Sequence, residues 1–181
     1  MKFSTLLLSL CLGLPAAAAM AALKPGDPAP DFTVDAAQGG KDFKFSLAEA
    51  LKKGPVVLYF YPKSFTSVCT VEAHEFAENI DNFAAAGASV IGLSSDKIAV
   101  QREFSSKECR DKFPVGADPG LSVIKAYDAG FPMPGVAFAN RISYVVSPDG
   151  KILYAYTDSE AEKHIENALA VVRKWREEHK P

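Results

Sequence analysis

The apolar and polar positions along the chain sort into unbroken runs and helical stripes. VVLYFY (Val56 to Tyr61) is a continuous β-branched and aromatic run, stopped by Pro62. That pattern predicts a central strand covered on both faces. SVIGLSS (Ser89 to Ser95) predicts a second one. Between them Ala73, Phe76, Ile80 and Phe83 recur at +3, +4 and +3, a single helical stripe ended by Gly87. Asp96 is the expected cap of another helix, running to about Lys107, with a thin apolar face of Val100 and Phe104.

The flanking segments are shorter. Phe32 to Val34 reads as a brief strand, and Ser46 as the cap of a short helix, SLAEALKKG, stopped by Gly54-Pro55. FPVGADPG reads as strand and turn, LSVIKAYD as a short helix, and GFPMPGVAFAN as an irregular loop. ISYVV and ILYAY flank Ser147-Pro148-Asp149-Gly150, a hairpin signature. A final helix carries Ala161, Ile165, Ala168, Leu169, Val172 and Trp175 on one face. Alternating strands and helices followed by a hairpin and a closing helix predict an α/β sandwich with a mixed sheet.

Composition adds little except at the amino terminus. The chain has 181 residues, 48% of them hydrophobic and 23% charged, which fits one globular domain. A net charge of −2 gives no basic surface for nucleic acid. MKFSTLLLSLCLGLPAAAAMA carries one positive charge, Lys2, an apolar run from Leu6 to Leu14, and Ala19-Met20-Ala21 as a cleavage site. Residues 1–21 therefore read as a secretory signal peptide, and 22–181 as the mature domain. The apolar run is too short for a stable membrane anchor. Leu10 before Cys11 does not fit a lipoprotein. Export across the inner membrane, to a periplasmic location, is the expectation.

Removal of the signal leaves Cys69 and Cys109. In an oxidising compartment two thiols can form a structural disulfide, closing a loop of about 40 residues for roughly 4 kcal/mol. Cys69, however, extends the Ala73–Phe76 stripe one turn toward the helix start. There the free backbone N–H groups and the helix dipole stabilise an anion, which activates a thiol. Thr66 lies in the turn before it and can offer the thiol a hydrogen bond, or simply cap the helix. Pro62 can shield the thiol from water, or simply end the strand.

Pro62-x-x-x-Thr66-x-x-Cys69 resembles the active-site signature of the peroxiredoxins. The longer stretch YFYPKSFTSVCTVEAHEF is similar to their bacterioferritin-comigratory, or Q-type, branch, and the resemblance extends from KPGDPAPDF through SPDGKI. It implies a thioredoxin-like α/β/α sandwich and a thiol-dependent peroxidase using no cofactor and no metal. Hydrogen peroxide or an organic hydroperoxide is the implied substrate. The implied mechanism passes through a Cys69 sulfenic acid, with a thioredoxin-like or small-thiol reductant and a monomeric or homodimeric state. The resemblance also implies an arginine against the thiolate. Arg141, in Arg141-x-x-Tyr144, takes that position, and Glu72 matches the family's Cys-Thr-x-Glu. Glu72 reads equally as a first-turn acid favoured by the helix dipole.

The branch often places a second cysteine five residues after the first, where this chain has His74. Five residues is a rotation of about 140° on a helix, so His74 is expected to face solvent, away from Cys69. Neither a general base nor a metal site with Cys69 follows from it. Some members carry the resolving cysteine on the helix after the second core strand, and Cys109 lies near that helix's end. Its spacing from Val100 and Phe104 places it off the apolar face and within reach, with local unwinding on oxidation. Resolution by an external thiol remains the alternative, as does a permanent structural bond. A thioredoxin-type oxidoreductase would need C-x-x-C, which Cys69-Thr-Val-Glu lacks. Other roles on the same fold are a redox sensor, a holdase or a metal-delivery protein. The last needs a distant histidine, and His164 and His179 are expected to be solvated.

Overall fold

The computed structural model describes residues 22–179. The expected signal peptide lies outside them. Seven strands form one mixed sheet in the order β2-β1-β5-β4-β3-β6-β7. They are β1 Thr33–Gln38, β2 Lys41–Ser46, β3 Val56–Phe60, β4 Ser89–Ser94, β5 Val115–Ala117, β6 Ile142–Val146 and β7 Ile152–Thr157. The helices are α1 Leu47–Leu51, α2 Ser67–Ala85, α3 Ile98–Lys107, α4 Ser122–Ala126 and α5 Ala161–Glu178. β3, β4 and β5 are parallel neighbours because α2 and α3 cross between them. The β6–β7 hairpin and the β1–β2 pair are antiparallel. This is the expected thioredoxin-like α/β fold.

β3 explains why its sequence shows no alternation. Val56, Leu58 and Phe60 join one core cluster, with α4, β2 and the start of α1. Val57, Tyr59 and Tyr61 join the other, with α2, α5 and Phe104 of α3. Every β3 residue is buried. The Tyr59 ring stacks on Phe76 of α2 at 4.4 Å between centroids. It also lies against Gly92 of β4, where an added Cβ would meet Tyr59 Cζ at 2.5 Å. That close approach is why glycine interrupts an otherwise apolar strand.

Three elements depart from the sequence reading. The Phe32–Val34 strand extends to Gln38 and turns at Gly39-Gly40, both at positive φ, into β2. Exposed lysines on β2 hide its alternation, although Gly-Gly is itself a hairpin signal. Asp96 does not cap α3; Lys97 takes the cap position, and the Asp96 carboxylate instead accepts from Ser64 N at 2.7 Å and Ser94 Oγ at 2.9 Å. Cys109 is not on α3. The helix ends at Lys107, Glu108 is the C-cap, and the chain then turns inward so that Cys109 is wholly buried. Helical spacing does not apply past the cap, so the expectation of an accessible Cys109 fails.

Candidate active site

β3 delivers the site and α2 receives it. Tyr61 N bonds Leu93 O at 3.0 Å, the last link of the strand to β4. Pro62 follows, half-buried and without an N–H to continue the ladder. The loop then passes Phe65, which has a φ of 63°, a conformation rare for a bulky side chain. Such strain persists where the surroundings over-determine it. Here the Phe65 ring sits edge-on to Phe104, and Ser64 is held by the Asp96 carboxylate. Beneath the loop, Tyr61 Oη donates to Gln101 Oε1 at 2.7 Å, while Gln101 Nε2 donates to Ser94 Oγ and Gly116 O. This buried network fixes the loop to α3, β4 and β5.

Thr66 is the N-cap of α2 by position, but its hydroxyl donates to Lys63 O at 3.0 Å, closing the loop on itself. It makes no bond to Cys69. Cys69 lies in the first turn of α2, 2% exposed. One turn further, Glu72 is fully buried. From the other side of the sheet's centre comes Arg141, the residue before β6, on the same face as Ser143 and Val145. Its Nη2 lies 3.3 Å from Cys69 Sγ, and its Nη1 pairs with Glu72 Oε2. One guanidinium thus bridges two residues a turn apart on α2.

The electrostatics follow from burial. Burial pushes the Glu72 carboxyl up to about 8, with Arg141 pulling it back, and its Oε1 has no hydrogen-bond partner. Burial by itself lowers the Arg141 value, but Glu72 and Cys69 more than offset it, so the guanidinium stays charged. Burial, and then Glu108, raises the Cys109 thiol well above its ordinary range. Cys69 and Cys109 are both free thiols in one core cluster.

The histidines differ from the sequence reading. His164 is fully buried behind Arg141, not solvated. Its Nδ1 pairs with Ser143 Oγ at 2.8 Å and its Nε2 with Asp158 O at 3.1 Å. With both ring nitrogens occupied it offers no ligand to a metal. Burial lowers its pKa to about 4, against the Asp158 carbonyl and with help from Arg141. The signal was present: His164 falls three residues after Ala161 and beside Ile165, on the apolar stripe. His179 is exposed, as expected, and stacks on Trp175. His74 does not face open solvent; it is half-buried and bonds Glu108 Oε2 at 2.7 Å.

The site is thus a buried cysteine at a helix start with a cation on its sulfur and the Glu72 carboxyl behind that cation. The sequence matches the AhpC/TSA family over residues 25–155. The chain belongs to that family. It is 35% identical over 150 residues to a putative peroxiredoxin of Mycobacterium tuberculosis, covering 79% of this chain and 90% of that one. It is 31% identical over 161 residues to peroxiredoxin Bcp of Escherichia coli, covering 87% and 97%. Among solved structures, peroxidoxin BcpB of Mycobacterium tuberculosis aligns with a TM-score of 0.76 at 30% identity, covering 84% of this chain and 97% of that one. As a member of this family the protein is a thiol peroxidase, and Bcp-type peroxiredoxins are among its relatives.

Proposed function

We propose that the protein reduces hydroperoxides through Cys69, with Cys109 as the resolving thiol. The contact between Arg141 Nη2 and Cys69 Sγ carries the first half of this reading. The Cys69 thiolate bonds to the terminal oxygen of a hydroperoxide, the O–O bond breaks, and the departing oxygen takes the electron pair. A proton from solvent completes the alcohol or water. Arg141 and the N–H groups that open α2 sit where this negative charge moves, and donors so placed stabilise the transition state. Glu72 holds the guanidinium from behind.

The product is Cys69 sulfenic acid. In the second step the Cys109 sulfur bonds to Cys69 Sγ and water leaves, which yields an intramolecular disulfide. A thioredoxin-type dithiol then reduces it, at the expense of its own two thiols. The membership of both cysteines in one core cluster supports this pairing. Cys109 must leave its packing to react, so the turn after α3 opens during the cycle.

Peroxide consumption by the purified protein with a dithiol reductant tests the reading. Cys69→Ser should abolish it. Peptide mass spectrometry after one equivalent of peroxide should show a Cys69–Cys109 linkage. A Cys69→Ser variant as fast as the parent would sink the peroxidase reading; an absent linkage would leave resolution to an external thiol. Residues 1–21 fit a cleaved export signal, and that pattern supports a periplasmic location for the enzyme. A mature amino terminus near Ala22 in a periplasmic fraction is the expected result.

A further inference from the structure

Cys109 is flanked by two residues whose charged side chains both reach the same helix. Before it, Glu108 Oε2 meets His74 Nε2 at 2.7 Å. After it, Arg110 Nη1 meets Glu78 Oε1 at 3.0 Å. His74 and Glu78 are four residues apart, so they stack on one face of α2, one turn from each other. Two anchors on α2 thus straddle the only cysteine of the turn that follows α3.

That turn is not relaxed. Arg110 has a φ of 52° and Asp111 a φ of 61°, two successive non-glycine residues in the left-handed region. Each such residue is strained, and the conformation lasts only while its surroundings enforce it. Part of the enforcement is backbone: Asp111 N bonds Ser105 O, and Lys112 N bonds Cys109 O. Gln38 adds bonds to the carbonyls of Asp111 and Lys112. The side-chain pairs His74–Glu108 and Glu78–Arg110 add to it. They are the polar side-chain contacts that tie the turn to α2, the helix that carries Cys69, beside the core packing of Cys109 and Phe113 against it.

We propose that His74–Glu108 and Glu78–Arg110 form a two-point clasp that controls how often the Cys109 thiol leaves the core. The four residues are positioning residues; none touches peroxide. With the clasp shut, the strained turn presses Cys109 inward. With it open, the turn relaxes and swings the thiol out from between its two anchors. The consequence for turnover rests on the reading of Cys109 as the resolving thiol, but control of its exposure does not.

The test therefore begins in the Cys69→Ser protein. N-ethylmaleimide modification at Cys109 is followed by peptide mass spectrometry, which separates it from any other cysteine. His74→Ala with Glu78→Gln should speed the modification about three- to ten-fold, the range for losing two partly exposed pairs. Sodium chloride at 0.5 M should speed it in the parent and leave the double variant unmoved. The charge swap Glu78→Arg with Arg110→Glu should restore a rate near the parent's. Equal rates in parent and double variant overturn the clasp, as does a swap that stays fast. Hydrogen exchange of β3 separates local opening from unfolding: a parallel rise there also overturns it. With Cys69 restored, the double variant should form the Cys69–Cys109 linkage faster after a peroxide pulse. A missing linkage in that arm defeats the resolving role of Cys109, while the clasp is judged by the modification rates.

Discussion

Arg141 Nη2 lies 3.3 Å from Cys69 Sγ, although 72 residues separate them in the chain. The contact exists because β3 and β6 are adjacent antiparallel strands. β3 ends where α2 begins, and β6 starts at the same end of the sheet. Phe60 pairs with Ile142, so the residue before Ile142 stands beside the loop that leads into α2.

This register makes Arg141 the most sensitive position after Cys69 itself. Arg141→Lys keeps the charge but loses the fork that reaches both Cys69 and Glu72. Loss of one such donor typically slows chemistry by about 10²–10³-fold. The expected result is a drop of that order in the peroxide rate constant, measured by competition with a second peroxidase. The unfolding midpoint should move far less.

Gln101 supports the loop that aims this chemistry. It is fully buried, and its amide satisfies Tyr61, Ser94 and Gly116 together. Gln101→Leu fills similar space but strands several buried polar groups, each of which costs about 1–3 kcal/mol when unpaired. Urea unfolding should show a loss of about 3 kcal/mol, and the peroxide rate should fall with it. A neutral outcome in both would mean that the loop is held by Asp96 and Phe104 alone.

The contrast between these two residues shows what was legible in the sequence. Cys69 stood out as a thiol at a helix start, whereas Arg141 was legible only through the resemblance to the peroxiredoxins, since an arginine before a strand is by itself ordinary. The unbroken apolar run of β3, the α2 stripe and the turn signature of the β6–β7 hairpin are all local patterns, and each predicted its element. Gln101 gave no signal, since a glutamine on a helix is ordinarily solvated and its partners Tyr61, Ser64, Ser94 and Gly116 lie on other elements. Cys109 was misread because the position of the α3 cap decides its direction, and no strong capping signal follows Lys107. His164 was misread by type, although its place on the α5 stripe already argued for burial.

Glu72 and pH give a third prediction. Its folded pKa, about 8, exceeds the ordinary value of 4.5, so the folded protein holds a proton that the unfolded chain releases. Stability from this group is complete below about 4.5 and is lost as pH rises toward 8. Glu72→Gln removes the titration. Its urea midpoint should stay level between pH 6.5 and 8, where the parent's declines. A parent midpoint that is flat over the same interval would show Glu72 to be ionised throughout, with Arg141 outweighing its burial.

His164 acts in the opposite sense. Its folded pKa is about 4, below the ordinary 6.5, so the unfolded chain takes up a proton that the folded state refuses. Stability from this group is complete above 6.5 and is lost as pH falls toward 4. A shift of this size corresponds to about 3 kcal/mol. Between pH 4.5 and 6.5 it opposes the Glu72 effect, so the parent should look nearly level there and the single variants should not. Glu72→Gln should gain stability as pH rises through that window. His164→Asn, whose amide can still meet Ser143 and Asp158, should lose it. If the two slopes failed to separate in this way, the buried polar cluster behind Cys69 would be titrating as one unit through Arg141 rather than as two groups.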